Sequence, residues 1–208
     1  PARDGVPSEL VGTVVGGAYR VERLLGRGAM GAVYAVRHER TGGEFALKVL
    51  HQDAARHRPT LLRFRAEARV ASALRHPGIV RVVDLAALPD GSPYLVMEHL
   101  HGEDLQAVLR REGRLPLERA LAIARQVALA LHAAHEHGVV HRDLKPANIF
   151  LSRHRDGAAE VEAARVIDFG VAHVRGALAE PLETSADRFI GTPQYASPEA
   201  AHGRSALV

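Results

Sequence analysis

Apolar and polar residues alternate with a period near two through the first half of the chain, and the period lengthens to that of a helix after Gly102. Tyr19-Arg20-Val21-Glu22-Arg23-Leu24, Ala32 to Val36 and Glu44 to Val49 put successive side chains on opposite faces, which predicts strands. Gly42-Gly43 predicts a hairpin turn between the second and third of these. Leu61 to Leu74 predicts a helix with Leu61, Phe64, Ala68 and Ala71 on one stripe. Ile79 to Leu88 and Tyr94 to Met97 predict two more strands around the turn Pro89-Asp90-Gly91. Further on, Leu117, Leu121, Ala124, Val127, Ala128 and Leu131 recur at helical spacing, and Gly138 stops the run. Short strands and loops complete the chain. This order predicts an α+β architecture with a small β-rich lobe, a hinge near Glu98 to Gly102 and a helical lobe. Small molecules often bind between such lobes.

Composition changes this picture little. The 208 residues suffice for one large domain or two small lobes with a real core. The absence of cysteine excludes a disulfide framework and a cysteine metal site, and suits a reducing, cytoplasmic setting. A net charge of +3 is too small an excess to imply nucleic acid. The clusters Arg110-Arg111 and Arg153-His154-Arg155 read as solvated surface. No apolar run reaches the ~20 residues needed to cross a bilayer. The richest, Leu117 to Ala134, is broken by Glu118, Arg119, Arg125 and Gln126.

One bias does change it. Only Lys48 and Lys145 are lysines, against twenty-five arginines. A compact ammonium and a planar guanidinium are different tools. Composition alone leaves chance survival open, but both lysines fall within patterned segments. Gly26-Arg27-Gly28-Ala29-Met30-Gly31-Ala32-Val33 fits G-x-G-x-x-G-x-V, in which glycines let backbone approach a phosphate without a Cβ in the way. A plain turn between strands is the alternative. A dinucleotide site would need a helix straight after the glycines, and Val33-Tyr34-Ala35-Val36 favours a strand. Lys48 follows Ala46 by two, so strand alternation puts both on one face. Glu67 lies close to the apolar stripe of its helix, where a carboxylate needs a partner, and Lys48 is the candidate. The alternative for Lys48 is an exposed strand lysine.

The strongest pattern is His141-Arg142-Asp143 with Asn148 five residues after Asp143, then Asp168-Phe169-Gly170, then Gly191-Thr192-Pro193-Gln194-Tyr195-Ala196-Ser197-Pro198-Glu199. With the Gly-rich segment and Lys48, these motifs resemble the signature set of protein kinases, in particular the bacterial eukaryotic-like serine/threonine kinases. The resemblance runs from about Tyr19 to Glu199. It implies a two-lobed kinase-like fold: an N-terminal extension over residues 1–18, then a kinase domain over 19–208. Within that domain it implies an N-lobe over 19–97, a hinge over 98–102 and a partial C-lobe over 103–208.

The same resemblance implies the roles. Gly26, Gly28 and Gly31 would cover the phosphates of ATP. Lys48 would hold the α- and β-phosphates and pair with Glu67. Asp143 would accept the proton of a substrate serine or threonine hydroxyl, and Lys145 would neutralise charge on the transferring group. Asn148 and Asp168 would hold Mg²⁺, to which hard oxygen ligands are suited. Met97 would guard the back of the adenine pocket, and backbone groups of Glu98 and Leu100 would bond the adenine edge. Leu25, Val33, Ala46 and Phe150 would sandwich the ring, and Asp104 would meet the ribose. Those apolar positions could equally be ordinary core. Lys145 and Thr192 resemble the serine/threonine branch. Arg142 resembles members switched on by phosphorylation, with Thr184 and Ser185 as the expected phosphosites.

Three departures stand out. Ala29 replaces a glycine and Ser197 an alanine. The stretch from Ser152 to Ala164 is long, which gives the expectation of an extended polar hairpin loop. Kinase domains also continue into further helices past the Pro-Glu motif, whereas this sequence ends at Val208. The expectation is a piece of weak or no activity, prone to aggregate. A non-catalytic, nucleotide-binding or scaffolding pseudokinase is the alternative function.

Overall fold

The computed structural model describes residues 10–28, 30–156, 159–169, 173–174 and 192–201. They form two units, residues 1–68 with 81–99, and residues 69–80 with 100–208. The first is built on an antiparallel sheet of β1 (Val14–Val15), β2 (Tyr19–Arg27), β3 (Gly31–His38), β4 (Glu44–Leu50), β5 (Val82–Ala87) and β6 (Pro93–Glu98), in the order β1-β2-β3-β4-β6-β5. Gly42, at φ 70°, makes the β3–β4 turn that Gly42-Gly43 predicts. Two helices follow β4: α1 (Gln52–Arg56) and α2 (Arg58–Ala73). The boundary between the units falls within α2.

Register decides what each sheet face does. Val33 pairs with Lys48 and Lys48 with Leu95, while Ala35 pairs with Ala46 and Ala46 with Met97. These rows lie two residues apart, so Val33, Ala46, Lys48 and Met97 share a face. The intervening row, Tyr34–Leu47–Val96, turns the other way. There it joins Val36, Val49 and Tyr94 in a core cluster. Tyr34, Leu47 and Val96 are fully buried. An apolar side chain hidden this completely contributes about 1.5–3 kcal/mol.

The second unit holds β7 (Gly102–Asp104), α3 (Leu105–Glu112), α4 (Leu117–Glu136), β8 (Val139–Val140), β9 (Ile149–Asp156), β10 (Ala159–Val166), β11 (His173–Val174) and α5 (Pro198–Ala201). Its sheets run β10-β9-β7 and β11-β8. The core gathers Val108 from α3, Val127, Ala130 and Ala134 from α4, Val139, Leu151, Val166 and Phe169. Gly138, at φ 72°, ends α4.

Two expectations need correction. The strand expected from Ile79 begins only at Val82. Ile79 instead lies opposite Val166 in a parallel bridge made by the residues on either side of it, with Val80 N donating to Val166 O at 3.1 Å and Val166 N to Gly78 O at 2.7 Å. The stretch from Ser152 to Ala164 is the extended hairpin expected, but it is a paired antiparallel ladder of β9 and β10 with Ser152 opposite Ala163, so it is sheet rather than loop. The helix expected from Leu117 is α4; its buried residues are Ile123, Val127, Ala130 and Ala134, whereas Leu117 is 73% and Leu121 60% exposed. Polar anchors choose that face. Arg119 bonds Glu162, and Gln126 spans β10 by donating to Glu162 O at 3.3 Å and accepting from Ala164 N at 3.0 Å. Positions 119, 123, 126, 127, 130 and 134 lie on one side of a helix.

Candidate active site

In the first unit, β4 supplies an ammonium and α2 a carboxylate. Lys48 Nζ donates to Glu67 Oε1 at 2.7 Å and to Oε2 at 2.9 Å. Glu67 is 7% exposed. A carboxylate so placed needs an opposite charge, and the Lys48 ammonium supplies it. The ring of Phe64, one turn earlier on α2, has its centroid 5.9 Å from Lys48 Nζ and adds a face that attracts cations.

The glycines of the β2–β3 turn divide by role. A Cβ at Gly31 would lie 2.1 Å from Val49 O, so this glycine is required for β3 to approach β4. A Cβ at Gly26 would meet nothing within 4 Å, and one at Gly28 only Gly31 O at 4.0 Å. Packing therefore does not demand glycine at these two positions. Gly28 N donates to Gly31 O at 2.9 Å and closes the turn. Leu25 is exposed beside them, and Val33 and Met97 are half-buried around the buried Ala46. Glu98 N donates to Arg81 O at 3.0 Å.

The second unit supplies the acids. Asp143 sits on the loop after β8, next to Arg142, whose φ of 62° turns the chain sharply. Three donors converge on its carboxylate. Thr192 N and Thr192 Oγ1 each donate to Oδ1 at 2.9 Å, and Lys145 Nζ donates to Oδ2 at 2.7 Å. Lys145 Nζ also donates to Thr192 Oγ1 at 2.8 Å. An ammonium has three N–H donors, and two of those on Lys145 are used among the described residues.

Asn148, 6% exposed, donates from Nδ2 to Asp143 O at 2.8 Å, which aims its amide oxygen away from that bond. Ile167 N donates to Asn148 O at 3.0 Å and so ties the segment carrying Asp168 to the loop carrying Asn148. Asp168 is exposed and left-handed at φ 64°. An amide oxygen and a carboxylate are hard donors of the kind Mg²⁺ takes.

His141 lies beneath the loop, 3% exposed, with Nε2 3.3 Å from Ile167 O and its ring 4.8 Å from that of Phe169. Burial pulls its pKa below the ordinary value, against the opposing pull of the Ile167 carbonyl and of Asp168 and Asp143. Asp104 caps α3 by accepting from Ala107 N at 2.8 Å on Oδ1. Phe150 pairs with Asp104 across the β7–β9 ladder and is half-buried. Leu100 is half-buried in the segment before β7. Thr184, Ser185, Gly170 and Ala29 lie outside the described residues.

Two site residues escape a reading of spacing alone. Thr192 marks a branch of a motif, yet it holds Asp143 across 49 residues. Phe64 registers as a stripe residue, yet its ring sits beside Lys48.

A family model described as "Protein kinase domain" matches residues 19–206. Serine/threonine-protein kinase pkn3 of Myxococcus xanthus is 40% identical over 196 residues, covering 94% of this chain and 35% of the relative. Serine/threonine-protein kinase PknB of Mycolicibacterium smegmatis is 40% identical over 190 residues, covering 90% and 29%. The corresponding figures for PknA of Mycobacterium tuberculosis are 39% over 203 residues, 96% and 45%. The chain thus spans less than half the length of each of these relatives. A crystal structure of the PknI kinase domain from Mycobacterium tuberculosis superposes with a TM-score of 0.65 at 36% identity, covering 78% of this chain and 63% of that one.

Proposed function

The chain belongs to the protein kinase family, and from that premise we propose that it transfers the γ-phosphoryl group of ATP to serine or threonine hydroxyls of a protein substrate. The observation that carries this reading is the carboxylate of Asp143, fixed by Thr192 and Lys145 on a loop whose Asn148 is fixed in turn by the Asp143 carbonyl. A carboxylate held this way can orient a hydroxyl and take its proton as oxygen attacks phosphorus. The bond from phosphorus to the β–γ bridging oxygen breaks and ADP leaves. Lys145 sets positive charge beside the group in transit.

Lys48, steadied by Glu67, binds the α- and β-phosphates. Gly26 and Gly28, whose missing Cβ atoms no packing demands, offer backbone to the same phosphates. Val33, Ala46 and Met97 share one sheet face and present it to adenine, with Leu25 and Phe150. The Glu98 carbonyl and the Leu100 backbone bond the adenine edge. Asp104 keeps its second oxygen for the ribose. Asn148 and Asp168 are the residues that would hold Mg²⁺, which would neutralise phosphate charge when bound. Residues 1–18 are an extension, 19–97 and 103–208 the two parts of the domain, and 98–102 the hinge. Among the described residues no helix is long and apolar enough to cross a membrane, and the absence of cysteine accords with a cytoplasmic setting.

Replacing Asp143 with Asn tests the reading. Single-turnover phosphorylation of a serine peptide should slow about a thousandfold, while a fluorescent ATP analogue should bind as before. Equal rates would remove Asp143 from the mechanism.

A further inference from the structure

The three-stranded sheet of the second unit has a charged face apart from these residues. In its ladders Leu151 lies opposite Glu103, and Arg153 lies opposite Glu162. The two rows are two residues apart, so all four side chains leave the same side. α3 brings Val108 and Arg111 over that side, and α4 brings Arg119. Together they line an open cavity of about 310 Å³. Bare backbone forms part of its wall, since a Cβ at Gly102 would lie 2.0 Å from Leu151 O. Three guanidiniums face two carboxylates across this space.

The pairing among them is uneven. Arg111 bonds Glu103 and, at 3.0 Å, Glu112. Arg119 bonds Glu112 at 2.7 Å and takes both oxygens of Glu162, at 2.8 and 3.0 Å. Opposite charges facing each other across a ladder ordinarily pair. Here Arg119 has claimed the carboxylate opposite Arg153. Among the described residues Arg153 forms no ion pair, and it is exposed at the cavity. The solvated basic cluster of the sequence thus contains one guanidinium set into a built polar site.

We propose that this cavity is a docking site for an acidic peptide segment, one of whose carboxylates is received by Arg153. A guanidinium fork matches a carboxylate in two parallel bonds. Glu103 and Glu162 in the walls disfavour a dianionic phosphate more than a singly charged carboxylate. The buried Val108 and Leu151 form an apolar floor for the methylenes of a glutamate side chain.

The test uses the full chain without nucleotide, so its outcome is separate from that of the phosphoryl-transfer reading. Fluorescein-labelled hexaglutamate is titrated and followed by anisotropy, with labelled hexalysine as control. Binding of hexaglutamate should weaken about tenfold in Arg153→Ala, recover in part in Arg153→Lys, and stay unchanged in Arg110→Ala, which alters an exposed arginine outside the cavity. Unaltered binding in Arg153→Ala would overturn the proposal. So would equal loss in Arg110→Ala, equal binding of hexalysine, or full displacement by millimolar inorganic phosphate.

Discussion

Each of the two lysines donates to a carboxylate at 2.7 Å, but the two pairs are built on opposite plans. Lys48 and Glu67 stand 19 residues apart on a central strand and a helix, so regular structure sets their separation. Lys145 and Asp143 stand two residues apart on a loop, and neighbourhood in sequence does not orient them. Thr192, which bonds both, does. The first pair is preorganised by sheet and helix. The second depends on a distant segment, and its geometry can be lost while its members remain. In a chain that otherwise places arginine at every cationic position, both sites use the compact charge that can bond a carboxylate and still turn a donor toward phosphate.

The rigid pair should break through its cation. Lys48→Met should lower kcat/KM for ATP about a hundredfold, by removing a preorganised cation. Glu67→Gln keeps the cation and should cost about tenfold, because an amide still accepts a hydrogen bond but no longer neutralises charge. If Glu67→Gln costs as much as Lys48→Met in steady-state assays, Glu67 acts on phosphate chemistry directly, and the distinction between steadying and binding fails.

The loop pair should break through its third member. Thr192→Ala removes the hydroxyl but leaves the Thr192 backbone bond to Asp143. It should lower kcat about tenfold, the worth of one charge-assisted hydrogen bond. KM for ATP should stay as it is, and Thr192→Ser should restore the rate. A change confined to KM would show that the threonine serves nucleotide binding rather than Asp143.

The same contrast explains what spacing along the chain reveals. Lys48 with Ala46 on one face follows from a period of two, and the place of Glu67 beside the apolar stripe of its helix from one of three to four, and both are local. The face of α4 does not. Alanine and leucine occur all around that helix, and only the side chains of Arg119 and Gln126, bonded to β10 some forty residues away, select the buried side. Thr192 is likewise invisible as a partner of Asp143, because no period spans 49 residues. The strand at Ile79 is misplaced for a related reason. Its apolar pattern fits the first sheet, but its hydrogen bonds go to Val166.

Within the first unit the Gly-rich turn offers a further division. Gly31→Ala forces a carbon 2.1 Å from Val49 O, and should destabilise the fold by about 2 kcal/mol, read as a lower urea midpoint. Gly26→Ala meets open space, and should leave stability within about 0.5 kcal/mol while raising KM for ATP. If Gly26→Ala lowers the urea midpoint as far as Gly31→Ala does, the open cradle at Gly26 is a misreading.

The smallest effect concerns pH and belongs to the second unit. Burial holds His141 neutral below its ordinary value of 6.5. The unfolded chain therefore takes up this proton first. The contribution of His141 to stability is complete above that ordinary value and declines as pH falls from it toward the lower folded value. Asp90 is held low chiefly by its bond from the Ser92 backbone, and Glu103 by its bond from Arg111. Both lose their contributions only as pH falls below their ordinary values of 3.8 and 4.5, so they stay silent between pH ~7.5 and ~5.5. Urea unfolding at those two values should show a loss in the wild type of about 1 kcal/mol beyond that in His141→Leu. The leucine fills the buried site without titrating, so its overall stability can differ while its slope with pH isolates the imidazole. Parallel slopes would mean that His141 binds its proton as readily in the folded loop as in the unfolded chain, the Ile167 carbonyl together with Asp143 and Asp168 offsetting burial there.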